Sequence, residues 1–295
     1  MKIFLYRIVC GFFLGLSIFA PGFSGSLVAI AMGIYHEFVR IMANPLKKLK
    51  ENVIFCAPLG VGLVFSAVLF VITFRQLFDS YEKAIYLLFI GLIAGSIPIV
   101  YFEVKKIGFK PHYLIGAFGA MALAVAIGVL AAGTGLMSGD TASMSDWPGI
   151  ALGGIAAGVT ALIPGMSLAT ILIMLGVYGP IIYAGEALLR QDLSYIVPIS
   201  LFLVCTVIGL MSTAKGIKIV FDKFPGFANT TVLGFQVGSL ISILYRSLYT
   251  TYTGFTWFIG GIMILAGIGI SGIFILMGRI MGKQKSENES PSASS

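Results

Sequence analysis

Two short stretches rich in proline, glycine and serine, 21–26 and 164–167, interrupt apolar sequence. Because proline cannot continue a helix and Gly22 and Gly25 favour a turn, each stretch predicts a broken helix. Ser24 or Ser26 is suited to cap the helix that leaves the first break. The first turn of that helix would present unpaired N–H groups and the positive end of a dipole. This geometry suits an anion such as phosphate or carboxylate.

The candidate anion site combines both breaks with nearby small and basic residues. Arg75 and Arg246 end apolar segments, where headgroup binding and simple snorkelling are alternative interpretations. For the breaks themselves, the alternative is a kinked helix or tight glycine packing. The candidate residues are Pro21, Gly22, Ser24, Gly25, Ser26, Pro164, Gly165, Ser167, Thr170, Ser96, Ser239, Arg246 and Arg75. Glu37 is a candidate coupling carboxylate, with a solvated loop residue as the alternative.

Catalytic and metal-binding patterns are not found in the sequence. His36 and His112 are far apart, and the three cysteines lack disulfide or metal-ligand spacing. No nucleotide-binding loop is present, so we expect neither an enzyme nor ATP-driven transport within this chain. We expect no catalytic residues, no metal and no cofactor, while proton or sodium coupling stays open.

Composition indicates a polytopic membrane protein. The 295 residues are 58% hydrophobic and 11% charged, and mean hydropathy is +1.01. Apolar runs of about 20 residues, long enough to span a bilayer, recur along the chain. The net charge of +7 lies between these runs, so it indicates topology and not nucleic-acid binding. The apolar segments are 4–42, 52–74, 84–102, 112–137, 148–185, 193–214, 229–248 and 255–281.

The sequence repeats itself at a separation of 143 positions. The matched residues include both breaks, Gly33 with Gly176, Tyr35 with Tyr178, and several small residues. Gly91-x3-Gly95 and Gly234-x3-Gly238 are also matched; they predict close helix packing that would bring the broken helices nearby. We expect a first repeat at 1–137, a second at 148–282 and a disordered cytoplasmic tail at 283–295. Each repeat holds one hairpin (4–42 or 148–185) and three transmembrane helices.

Positive charges predict that the broken segments are re-entrant. With both segments returning to the face they entered, 15 Lys and Arg lie inside and 4 outside. With both spanning, the split would be 10 to 9, which shows no bias. Three crossings per repeat then place the second repeat upside down. The expected fold is therefore an all-α polytopic membrane protein with two inverted repeats and both termini cytoplasmic, an architecture of secondary transporters.

Three ordered motifs resemble a bacterial membrane family first known as a domain of unknown function and associated with PopT-type undecaprenyl-phosphate translocases. They are Pro21-Gly22-Phe23-Ser24-Gly25 with Gly33-Ile34-Tyr35, Gly91-Leu92-Ile93-Ala94-Gly95-Ser96-Ile97-Pro98, and Pro164-Gly165-Met166-Ser167 with Gly176-Val177-Tyr178. The resemblance implies a flippase of the bacterial inner membrane. It would recycle the lipid carrier undecaprenyl phosphate from the outer to the inner leaflet for peptidoglycan and other envelope polymers.

The expected mechanism is alternating access with the phosphate between the two breaks. Expected partners are undecaprenyl phosphate and membrane lipids, without nucleic acid; the oligomeric state stays open. A secondary transporter of another small anionic solute could use the same breaks. A non-transporting scaffold or a lipid-modifying enzyme is the third alternative.

Overall fold

The computed structural model describes residues 2–22, 24–133, 147–248 and 257–273. In these ranges the regular elements are helical, in agreement with the expected all-α class. A 3-10 turn at Leu193–Tyr195 precedes α9. The helices are α1 (Lys2–Phe19), α2 (Gly25–Ala31), α3 (Tyr35–Ala43), α4 (Leu49–Ile107), α5 (Tyr113–Gly133), α6 (Trp147–Ala161), α7 (Leu168–Met174), α8 (Tyr178–Leu189), α9 (Ile196–Lys223), α10 (Pro225–Leu248) and α11 (Trp257–Ile273).

Five helical segments in the described ranges are long and apolar enough to cross a membrane. Helix α4 supplies two of them, α4a (Leu49–Phe74) and α4b (Lys83–Ile107), because the backbone leaves helical geometry at Tyr81. The others are Tyr113–Leu130, Leu193–Lys223 and Pro225–Tyr245. The last of the six predicted transmembrane helices, 255–281, overlaps α11, while the tail at 283–295 lies outside the described residues. The chain is therefore a multi-pass membrane protein.

Each broken segment contains three helices, one more than a single break would produce. Segment 4–42 holds α1, α2 and α3, and segment 148–185 holds α6, α7 and α8. The additional breaks lie at Gly33 and Gly176, with φ of 69° and 72°. The amides of Gly33 and Ile34 bond back to carbonyls of α2, which is the Schellman arrangement that ends a helix at a left-handed glycine. Helices α7 and α8 meet at 109°.

Glycines allow the closest contacts between helices of the same half. A Cβ built on Gly11 of α1 would lie 2.0 Å from the carbonyl oxygen of Leu59 in α4a. A Cβ on Gly154 of α6 would lie 2.6 Å from the corresponding oxygen of Phe202 in α9. Both members of the second pair lie 143 positions after those of the first. Packing thus recurs at the separation found in the sequence.

The small-residue patterns of α4b and α10 pack against helices from the other half. Gly91 of α4b approaches the backbone of Ile264 in α11, and Gly234 of α10 approaches that of Ala117 in α5. The expected close packing at these glycines is confirmed, but their direct partners are α11 and α5 and not the broken helices. The first break also reaches α4b, where a Cβ on Gly22 would lie 2.5 Å from the Leu92 carbonyl carbon.

We predict that Gly234→Ala destabilises the protein by about 1–3 kcal/mol, because the new Cβ would overlap the Ala117 carbonyl, 2.1 Å away. Gly119 on α5 is the matched control, since a Cβ there meets nothing within 4 Å. Gly119→Ala should be neutral or stabilising by up to about 1 kcal/mol. Thermal unfolding of the detergent-purified protein measures both, and equal melting temperatures would contradict this packing.

Candidate functional site

The two breaks contact each other directly through a chain of hydrogen bonds. The backbone N–H of Gly165 donates to Ser24 Oγ at 3.0 Å, and Ser26 Oγ donates to the carbonyl of Ile163 at 3.0 Å. The two serine oxygens lie 2.8 Å apart. Because the Ser26 proton is used for Ile163, the Ser24 hydroxyl must donate to Ser26. The first break therefore satisfies backbone groups of the second.

Two tyrosines extend this connection reciprocally. Tyr35 donates its hydroxyl to the carbonyl of Leu162 at 3.1 Å, and Tyr178 donates to the carbonyl of Phe19 at 2.7 Å. Tyr178 follows Tyr35 by 143 positions, and Leu162 follows Phe19 by the same number. Each tyrosine thus satisfies a carbonyl at the end of the incoming helix of the other half.

The backbone of both breaks has the same geometry. Gly22 and Gly165 have φ of 83° and 89°, a left-handed region that disfavours other residues. Ser24 and Ser167 occupy the N-cap positions of α2 and α7, but neither side chain makes a capping hydrogen bond. Ser24 is the N-cap residue of α2 as expected, but its hydroxyl accepts from the Gly165 amide and makes no bond to the first turn of α2. Gly25 is the first residue of α2 and not part of the turn.

A small cavity lies where the breaks meet α4b and α10. We call it the break cavity; its empty volume out to the mouth is about 220 Å³, with room for about one water molecule. Its lining comes from both halves and includes two pairs related by 143 positions, Ser96 with Ser239 and Ile93 with Gln236. The lining residues are Gly22, Ile93, Ser96, Met166, Ser167, Thr170, Phe235, Gln236 and Ser239.

Three buried polar atoms of the break cavity have no hydrogen-bond partner among the described residues. They are Ser167 Oγ, Thr170 Oγ1 and Gln236 Oε1, on side chains that are only 6%, 4% and 7% exposed. Gln236 Nε2 donates to the carbonyl of Gly165. Unpaired polar atoms in an apolar interior are costly, commonly about 1–3 kcal/mol each, and native proteins keep few of them. These atoms therefore indicate a ligand site.

Gln236 is the cavity residue that sequence reasoning did not include in the site. Its amide nitrogen makes a structural hydrogen bond to the Gly165 carbonyl, and its amide oxygen has no partner among the described residues. The sequence did hold one indication of its role: the equivalent position in the first half, 143 residues earlier, is the apolar Ile93. The contact between Gly165 and Gln236 could not be found from spacing.

The other predicted site residues are divided between the cavity and the surface. Ser96, Ser239, Ser167 and Thr170 lie together at the break cavity with Gly22, and their role in binding stays a prediction. Pro21 is fully buried beside it in the first break, and Pro164 starts the second. Ser24, Ser26 and Gly165 form the contact between the breaks.

The charged candidates are not part of the described cavity. Glu37 lies on α3, where Arg40 donates Nε–H to its carboxylate at 3.0 Å and both side chains are exposed. Its proposed coupling role stays a prediction. Arg75 and Arg246 belong to α4 and α10, and their side chains lie outside the described part of the structure.

We predict that Tyr178→Phe lowers the free energy of unfolding by about 1–3 kcal/mol, because the Phe19 carbonyl would lose its donor in a partly buried position. The ring should still pack edge-on against Phe74 and Phe89, so the fold should persist. Tyr101→Phe is the control, since Tyr101 is exposed on α4b. Thermal unfolding with circular dichroism tests this, and an unchanged melting temperature for Tyr178→Phe would refute the reciprocal bond.

Comparison with known proteins places this geometry in a family. A family model described as VCA0040-like, undecaprenyl phosphate translocase-like, matches residues 14–256. No curated protein and no solved structure matched the chain. The matched range contains both breaks, the break cavity and every helix from α2 to α10. The chain therefore belongs to the VCA0040-like family of undecaprenyl phosphate translocase-like proteins.

Proposed function

We propose that the protein is a flippase that returns undecaprenyl phosphate from the outer to the inner leaflet of the bacterial inner membrane. Family membership indicates the substrate class and a transporter instead of a catalyst. The observation that carries the proposal is the contact between the two broken helices, which brings the Gly165 amide and the Ser24 and Ser26 hydroxyls together. The returned carrier would serve peptidoglycan and other envelope polymers.

The phosphate would bind to donors that now join the two breaks. The Gly165 amide, the Ser24 hydroxyl and the Ser26 hydroxyl all donate across or within this contact. Phosphate accepts such hydrogen bonds through several oxygens, and bonds to a charged group are stronger than those between neutral groups. The break cavity as described holds about one water molecule, so a phosphate enters only when the breaks separate.

Alternating access would exchange the roles of the two breaks. Now Ser24 of the first half accepts from Gly165 of the second, and Ser167 of the second half faces a cavity that Gly22 lines. In the opposite state Ser167 would accept from the Gly22 amide, and Ser24 would be released. We propose that the halves are inverted repeats; the reciprocal tyrosine bonds and matched left-handed glycines support this relation.

The exchange is not fully symmetric, because Ser26 corresponds to Ala169 in the second half. The bond from Ser26 to the Ile163 carbonyl thus has no equivalent in the opposite state. A net hydrogen bond contributes about 0.5–1.5 kcal/mol, so the described state is favoured several-fold by this bond alone.

The polyprenyl tail would stay in the bilayer while the headgroup crosses. Helices α4a and α9 expose many large apolar side chains on their outer faces, among them Val64, Phe65, Val204 and Val207. Such surfaces suit acyl and polyprenyl chains. The cytoplasmic orientation of both termini and the inward direction of transport remain part of the proposal, supported by the 15 to 4 charge split.

We predict that the purified protein binds undecaprenyl phosphate in preference to undecaprenol and phosphatidylglycerol, measured by native mass spectrometry. Ser24→Ala and Ser167→Ala should each weaken this binding by about tenfold, as expected for loss of one hydrogen bond to a charged group. Arg246→Ala tests the headgroup role predicted from the sequence. Ser66→Ala is the matched control, since Ser66 is buried in α4a and bonds only to the Leu63 carbonyl among the described contacts.

Equal binding of the three lipids would exclude a phosphate-specific site and favour transport of a small soluble anion. Selective binding that both alanine variants retain would place the headgroup away from the breaks. In either case two transport assays in vesicles would follow, one with a fluorescent lipid phosphate and one with a small soluble anion, to separate the two substrate classes.

We predict that Ser26→Ala shifts the protein towards the opposite state by about three- to tenfold in population, because it removes the unmatched bond. Hydrogen exchange of the second break, at 163–170, should become faster. Ser17→Ala is the control, since Ser17 is equally buried but bonds to the Leu14 carbonyl within α1. Unchanged exchange in Ser26→Ala would show that this bond does not hold the breaks together.

A further inference from the structure

We propose that the break cavity binds a small monovalent cation through Ser167, Thr170 and Gln236. This goes beyond the proposed lipid transport and concerns a second ligand. The three residues contribute the unpartnered oxygens of the cavity, and each is more than nine-tenths buried. The inference depends on these side chains and the cavity, not on the short helix α7.

The lining is rich in hydrogen-bond acceptors. Gln236 uses its amide nitrogen for the Gly165 carbonyl, so the free Oε1 can only accept. Ser96 and Ser239 donate to carbonyls of their own helices, at 2.7 and 2.8 Å, which leaves only lone pairs for the cavity. Three oxygens are thus acceptors before Ser167 and Thr170 are considered.

These acceptors suit a cation, which contacts the lone pairs of every oxygen around it. The hydroxyls of Ser167 and Thr170 can turn their lone pairs to the same ion. A phosphate oxygen would instead face the lone pairs of Gln236 Oε1. The small space, which suits about one water-sized ligand, also excludes a phosphate group in this state.

The charge of the lining favours a monovalent ion. Among the described residues that line the cavity, none has a carboxylate, so the ligands are neutral hydroxyl and amide oxygens. Oxygen ligands suit hard cations, and divalent ions in proteins usually take carboxylates as well. Broken helices in transporters are places where ions and substrates meet.

The three unpartnered oxygens of the cavity all come from the second half of the chain. Ile93 occupies the position of Gln236 in the first half, and it lines the same cavity with an apolar side chain. Gln236→Ile therefore makes the two halves alike at this point and removes the amide oxygen. It is the most direct test variant, because the equivalent position of the first half already holds an isoleucine, Ile93.

The test measures the melting temperature of the full-length protein in detergent as NaCl replaces choline chloride at constant ionic strength. We expect a rise that saturates with Na⁺, because a ligand that binds the folded state stabilises it. Gln236→Ile and Ser167→Ala should each weaken the apparent Na⁺ affinity by about tenfold or more. Ser167→Ala breaks no described hydrogen bond, so it tests the site even if Gln236→Ile fails to fold. Binding of radiolabelled Na⁺ provides a second measurement.

Thr213→Val is the matched control for Thr170→Val, since Thr213 lies on α9 with its hydroxyl bonded to the Gly209 carbonyl. It should keep the response to Na⁺ that Thr170→Val loses. Identical melting in Na⁺, K⁺, Li⁺ and choline would overturn the proposal and leave a buried water as the occupant. A Na⁺ response that the cavity variants keep would also overturn it. No polyprenyl lipid is present, so either result leaves the proposed lipid transport to its own test.

Discussion

Backbone groups exposed by a helix break must find partners when the break lies in an apolar environment. In this protein the two breaks provide many of these partners for each other. Ser24 accepts from the Gly165 amide, while Tyr35 and Tyr178 donate to carbonyls at the ends of the opposite incoming helices. The rest of the fold depends on this mutual arrangement, because neither break is satisfied by its own half alone.

Close contacts at glycines explain how the helices hold the two breaks against each other. Within each half, the incoming helix packs closely on the next long helix, α1 on α4a and α6 on α9. Between halves, α5 packs on α10 and α11 on α4b. One helix of each half therefore packs against the other half: α5 of the first and α11 of the second. The cavity between the breaks is lined by α4b and α10, each of which contacts a helix of the other half.

The sequence predicted the breaks and the membrane-spanning segments because proline, glycine and long apolar runs have strong local effects. It did not predict the ends of α2 and α7, since a single glycine such as Gly33 is common in membrane helices and the left-handed turn depends on two specific amides. The close packing at Gly91 and Gly234 was predicted, but the helices that they contact were not, because spacing shows only that a helix face carries small residues. The hydroxyls of Ser167 and Thr170 were identified, but Gln236 needed the three-dimensional contact.

Competition for the same donors would connect binding to movement. A phosphate needs N–H and O–H groups, and the Gly165 amide and the serine hydroxyls of the first break now use theirs between or within the halves. A phosphate that takes these donors must separate the breaks, and breaks that close again must release the phosphate. A ligand shifts a conformational equilibrium only through its different affinity for the two states. Here that difference follows from the chemistry, because the closed state has no donors of this contact left to offer.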